Sequence, residues 1–272
     1  MLDHFDIDTL RDRVERELPW RDMPGVDVDL GAGLELALAI NGWRALTDAP
    51  SQLRNVEAWA AKVEVLAAAD LALRGIEADV PMYDAPMREF MPLGARATLI
   101  RAGGLFFDRF ARSLRSHARL ASATATAIAR AAYDMADNAI QHSGSDDEHP
   151  ASGAVGFEVV GTRLSFAVAD TGRGVLASLK SSARWAHLAS QRDALDLAVL
   201  KNASRRGNGQ GYGFRDLLNA LADQSGSLRF ASDDAVLGLD GTSQIHRTRR
   251  TAKRRALPGF QLSATMEATA TI

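Results

Sequence analysis

The chain has 272 residues, 46% hydrophobic and 24% charged, the composition of an ordinary globular protein of one or two domains. It contains no Cys, which excludes a disulfide scaffold, a thiolate zinc site, an iron–sulfur cluster and a cysteine nucleophile. The net charge of −2 hides an asymmetry: HRTRRTAKRR, at 246–255, carries six Lys or Arg and no acid, which leaves −8 on the remainder.

No apolar run approaches the ~18 residues of a membrane-spanning helix. The opening MLDHFDIDTLRDRVEREL also lacks the apolar centre of a signal peptide. A cytoplasmic protein without membrane contact is expected. Residues 2–18 read as an amphipathic helix, and PGVDVDLG at 24–31 as a short alternating strand between turn residues. Helical stretches follow near 34–47 and 52–74. GIEADVP at 75–81 reads as another strand, ended by its proline.

A second organisation begins near Ser116. In ATATAIARAAYDMADNAIQHSG, Ile128, Ala132, Met135, Ala136, Ala139 and Ile140 form one apolar stripe at helical spacing. Asp134, Asn138 and His142, four apart, stack along another face of that helix. Residues 154–160 and 163–170 alternate around Gly161-Thr162 and predict a hairpin, with Leu164, Phe166 and Val168 on one side. The second strand runs into Asp170-Thr171-Gly172-Arg173-Gly174. A polar, helix-containing connection spans 175–206. A glycine cluster, Gly207-Asn208-Gly209-Gln210-Gly211-Tyr212-Gly213, then opens into a helix with Phe214, Leu217, Leu218 and Leu221 inward. Strands are expected at 227–232, 243–247 and 259–266.

Each glycine motif alone is weak, because glycine marks turns everywhere. A dinucleotide-binding loop would need GxGxxG directly after a strand, and here a helical connection precedes GxGxGxG. The order carries more information: a helix with an acid four residues before an Asn, a strand ending in DxGxG, a lid, then a glycine loop opening a helix. In that order the chain resembles the GHKL superfamily of ATP-binding domains over residues 116–272. Asp134–Asn138 matches its N box, Asp170–Gly174 its G1 box and Gly207–Gly213 its G2 box.

The resemblance implies ATP and Mg²⁺ as ligands. Asp170 would accept a hydrogen bond from the adenine amino group, a charge-assisted orienting contact. Gly172 and Gly174 would let the backbone pass close to the base. Asn138 would hold Mg²⁺ through its amide oxygen, as suits a hard cation. Gly207, Gly209, Gly211 and Gly213 would cradle phosphates with backbone N–H groups at a helix start. Lys201, with Arg205 and Arg206, would neutralise phosphates or simply belong to a solvated lid. Asp134 stands where the family carries its catalytic Glu, one methylene shorter. A base must reach its proton, and misplacement by ~1 Å costs ~100-fold, so nucleotide binding is expected and catalysis is left open. Phe260, in Pro258-Gly259-Phe260, stands where the family commonly has Thr.

The fold class expected is α/β, an α+β two-layer sandwich of the Bergerat ATP-binding type at 116–272, preceded by a smaller α/β regulatory domain at 1–115 with a loose likeness to STAS domains. His117 lacks the following acid of a phospho-accepting motif and lies 21 residues before Asn138. The implied branch is therefore the anti-sigma and sensor-kinase-like ATPases, in which nucleotide switches a protein partner. ATPase or protein kinase activity, a homodimer and a catalytically degenerate nucleotide-binding scaffold are all compatible. The basic run, without an aromatic between Gln244 and Leu257, lacks the stacking platform of single-strand binders. It reads as a solvated hairpin, a site for an acidic protein partner, or the basis of a nucleic-acid-associated ATPase.

Overall fold

The computed structural model describes residues 4–16, 28–44, 49–76, 84–94, 99–144, 152–201, 203–204, 207–208, 214, 217–219, 225–241 and 248–268. The helices are α1 (His4–Glu15), α2 (Leu30–Arg44), α3 (Leu53–Ala60), α4 (Glu64–Leu73), α5 (Gly104–Ser116), α6 (Ser122–Ser143), α7 (Gly174–Lys180) and α8 (Gln191–Leu200). The strands are β1 (Arg88–Leu93), β2 (Gly153–Val160), β3 (Arg163–Asp170), the two-residue β4 (Ala203–Ser204) and β5 (Gly207–Asn208), β6 (Ser225–Gly241) and β7 (Thr248–Glu267). An antiparallel five-stranded sheet runs in the order β1-β2-β3-β7-β6. The fold is an α+β sandwich.

The two-residue period of the strands decides what each face buries. Val155, Phe157 and Val159 of β2 and Leu164, Phe166 and Val168 of β3 enter one core with α5 and α6. Phe110 stacks on Phe157 with ring centroids 4.6 Å apart, and Phe106 meets Phe157 edge-on at 5.3 Å. The α6 stripe faces the same way: Ile128, Ala132, Met135, Ala136 and Ala139 are buried, and Ile140 packs beside them. The hairpin between β2 and β3 turns through Gly161-Thr162, with Val160 paired to Arg163 and Gly161 at φ +59°. A two-residue connection of this kind needs positive φ.

The opposite sheet face presents the intervening residues Ala154, Ala167 and Ala169, which join a second core with α2 and α4. These small side chains let α2 approach closely. From Leu30 to Ile40 every residue of α2 is buried, as expected of a helix that is apolar nearly all round. The one charge in that buried run, Glu35, is countered by Arg254 at 2.5 Å, Arg229 at 3.4 Å and Arg11 at 3.6 Å. Burial pushes the Arg254 guanidinium below its ordinary range, opposed by the Glu35 carboxylate and assisted by Arg11 and Arg229.

Three expectations need correction. Of the strand predicted at 24–31, residues 24–27 lie outside the described residues; at its described end Val28 makes an isolated bridge and α2 begins at Leu30. The apolar continuity of LGAGLELALAI carries the helix back to Leu30. The helix predicted at 52–74 is two helices separated by a turn at 61–63. From Thr248 on the basic run is strand, but Arg254 is withdrawn from solvent, its side chain only 2% exposed. Most of the strand predicted at 75–81 lies outside the described residues, as does the whole of the one predicted at 243–247. Among the described residues ahead of Arg88 the regular elements are four helices, so the expected strand–helix alternation is not seen there. The 115/116 boundary falls within the last turn of α5, which shares one core with α6, and β1 precedes it while pairing with β2. Among the described residues no helix is long and apolar enough to cross a membrane.

Candidate functional site

A cleft of about 720 Å³, partly open to solvent, lies between the C-terminal half of α6, the end of β3, the helices α7 and α8, and the aromatic pair Phe214 and Phe260. Asn138, Ala139, His142 and Ser143 line it from α6. Asp170 and Gly174 line it from the DxGxG turn, Val175, Ser178 and Leu179 from α7, and Ala198 and Ala203 from beyond. The walls are thus mainly apolar with a few polar groups, the usual make-up of a small-molecule site.

The turn after β3 is held by backbone chemistry. The Gly172 N–H donates to Asp170 Oδ1 at 2.8 Å. The Thr171 N–H donates to the Ser152 carbonyl at 2.8 Å, and the Arg173 N–H to the Ser143 carbonyl at 3.1 Å, which ties the turn to the end of α6. A Cβ on Gly172 would come 2.3 Å from that Ser143 carbonyl oxygen, so only glycine fits. On the neighbouring strand β7, Gly259 adopts φ +90°, and a Cβ there would come 1.8 Å from the Asp170 carbonyl oxygen. This close approach lets the Phe260 N–H bond the Asp170 carboxyl group.

Asp170 is 4% exposed, and burial raises its pKa from the ordinary 3.8 to about 7, against the lowering effect of the Gly172 and Phe260 N–H groups. Desolvation of the charged form is the larger influence. Phe260 packs edge-on against Phe214 at 5.8 Å, and Phe214 against Phe230 at 5.6 Å, closing one wall.

The first turn of α7 is bonded from other elements. Gly174 stands at φ +71°, the Val175 N–H donates to Ser232 Oγ at 2.9 Å, and the Leu176 N–H donates to Gln191 Oε1 at 3.2 Å. Ser232 Oγ in turn donates to the Gly259 carbonyl at 3.2 Å. No sequence motif pointed to Gln191 or Ser232, since they meet α7 only across 15 and 57 residues of chain.

The other expected residues divide. Asp134 is one helical turn from Asn138 but does not line the cleft; its carboxylate accepts from Arg130 Nε at 3.2 Å. Lys201 is exposed at the end of α8 and does not line the cleft. Gly207 pairs with Ser204 in the small β4–β5 hairpin. Gly209, Gly211 and Gly213, with Arg205 and Arg206, lie outside the described residues. His142 turns toward α7, with Nδ1 3.5 Å from Ser178 Oγ. Among the described residues no group of three or more His, Asp or Glu is arranged to hold a metal ion. Asn138 supplies a hard oxygen donor at the cleft wall, which fits a cation completed by waters and a ligand's own oxygens.

No family model matches the chain, and no curated protein matches it. Among solved structures, it is similar to the histidine kinase domain of a blue-light activated histidine kinase from Erythrobacter litoralis. The identity is 16% and the TM-score 0.28, over 97% of this chain and 94% of that one. A likeness of that size carries no argument about function.

Proposed function

We propose that the chain is an ATP- and Mg²⁺-binding regulatory protein of the GHKL type, related to anti-sigma and sensor-kinase-like ATPases. The observation that carries this is the convergence of Asn138, Asp170 and Gly174, from two separate sequence motifs, on one mainly apolar cleft. Asp170 is the buried acceptor for the adenine amino group, while Gly172 and Phe260 hold its carboxyl in place. Phe260, Phe214, Val175 and Leu179 bury the faces of the base. Asn138 holds Mg²⁺, which supplies neutralising charge to the phosphates. Nucleotide changes the position of α7 and α8, and so the surface offered to a protein partner. Such a switch requires that nucleotide bind the two arrangements unequally.

Whether the γ-phosphate is transferred, hydrolysed or only sensed turns on Asp134. Its ion pair with Arg130 and its place outside the cleft lining favour a second reading, a nucleotide-binding scaffold without catalysis. The test is a calorimetric titration with ATP and ADP, with and without Mg²⁺, followed by phosphate release on the same sample. Mg²⁺-dependent binding without phosphate release supports the scaffold. Phosphate release abolished by Asp134→Ala, with folding intact, supports the enzyme. Absence of binding in every condition refutes both.

A further inference from the structure

The buried ion cluster on one face of the sheet and the lid helix on the other are joined by a short run of hydrogen bonds. On the far face, Glu35 of α2 accepts from Arg254 Nη1 at 2.5 Å. The same guanidinium donates through Nη1 to Gln261 Oε1 at 2.7 Å and through Nε to the Asp233 carbonyl at 3.0 Å. Asp233 sits at the bulge of the β6–β7 hairpin with φ +51°, a left-handed conformation that Asp tolerates better than most residues. The Asp233 carboxylate Oδ2 accepts from Gln191 Nε2 at 3.1 Å, and Gln191 Oε1 accepts the Leu176 N–H of α7. The neighbouring Ser232 hydroxyl accepts the Val175 N–H. Arg254 thus grips both the N-terminal helical layer and the bulge whose side chains hold the start of α7.

We propose that Arg254 is a positioning residue through which the N-terminal helical layer sets lid helix α7 at the cleft. It touches no ligand, and acts through Asp233 and Gln191. The effect on nucleotide rests on the proposed function above, whereas the mechanical tie between α2 and α7 does not. A perturbation of α2 that draws Glu35 away releases Arg254 from one side, loosens the bulge and frees the α7 amides. Spatial intermediacy alone does not establish such coupling, so the experiment must read coupling directly.

The experiment is amide hydrogen exchange on the nucleotide-free chain, comparing wild type, Arg254→Met, Arg254→Lys, Gln191→Leu and the double variant Arg254→Met/Gln191→Leu. Arg254→Met keeps the bulk, and Glu35 retains Arg229 and Arg11 nearby. Exchange at Leu176 is expected to quicken about tenfold in Arg254→Met, while Phe157 and Phe166 in the central hairpin stay unchanged. Arg254→Lys keeps the charge but lacks the fork that spans Glu35 and the Asp233 carbonyl, so it should fold normally and still show the quickened exchange. The double variant should be no faster than Gln191→Leu, because both act on one linkage. Equal acceleration at every amide, rescue by Arg254→Lys, or additive effects in the double variant would overturn the proposal. Should Arg254→Met fail to fold, Arg254→Lys and Gln191→Leu carry the same comparison. In parallel, ATP titration should show about tenfold weaker binding to Arg254→Lys. If wild type binds no ATP while the exchange pattern holds, the nucleotide assignment falls and the tie stands.

Discussion

Replacing Asp170 with Asn separates the two consequences of burying this carboxyl group. Asn keeps the volume and an oxygen for the Gly172 N–H, but it cannot ionise. In the wild type, the folded pKa of about 7 lies above the ordinary 3.8. The folded state therefore holds an extra proton between these values, and its stability falls as pH rises from about 4 to 7. Above pH 7 the whole penalty is present, roughly 4 kcal/mol at about 1.4 kcal/mol per pKa unit. Asp170→Asn escapes it. Urea unfolding followed by circular dichroism should find the variant close to wild type near pH 4, and more stable by up to roughly 4 kcal/mol near pH 8. ATP binding should move the other way: the Asn amide lacks the anionic acceptor, and calorimetry should find affinity lost by 100-fold or more. An equal stability difference at both pH values would refute the desolvation argument. Undiminished ATP affinity in the variant would refute the adenine assignment.

Further outcomes follow from the same contacts. In wild type, an adenine amino group donating to ionised Asp170 should make ATP affinity fall as pH drops below about 7, by up to tenfold per pH unit, in titrations at fixed Mg²⁺. Gly259→Ala places a Cβ 1.8 Å from the Asp170 carbonyl oxygen at φ +90°; thermal unfolding should show a loss of about 2 kcal/mol or more. Glu35→Ala leaves Arg254, whose side chain is 2% exposed, without its carboxylate; urea unfolding should show a cost of about 3–5 kcal/mol. Phe110→Ala empties a fully buried site stacked on Phe157; the same assay should show about 3–5 kcal/mol.

What the sequence made legible was whatever local periodicity controls. The α6 stripe and the β2–β3 hairpin repeat every three to four or every two residues, so their faces could be assigned before any contact was known. Asn138 and Asp170 were legible for a related reason: each sits at a fixed offset from glycines or from the apolar stripe. The long-range architecture was not. β1 has no alternation that marks it as the edge of a sheet completed by strands some 70 residues away, such as Arg88 against Glu158. Arg254 looked like one more member of a basic run, because its burial depends on Glu35, 219 residues distant. Gln191 and Ser232 are unremarkable polar residues until the fold brings both to the first turn of α7. Asp134 was placed by spacing one turn before Asn138, but its ion pair with Arg130 could not be read from the motif.

The central claim, that this cleft holds the adenine of ATP, is tested most directly by a crystal structure with a non-hydrolysable ATP analogue and Mg²⁺. The account predicts the adenine amino nitrogen about 3 Å from an Asp170 carboxylate oxygen, the base against Phe260 and Val175, and Asn138 beside the metal. Nucleotide bound elsewhere on the chain, or a base turned away from Asp170, would contradict it.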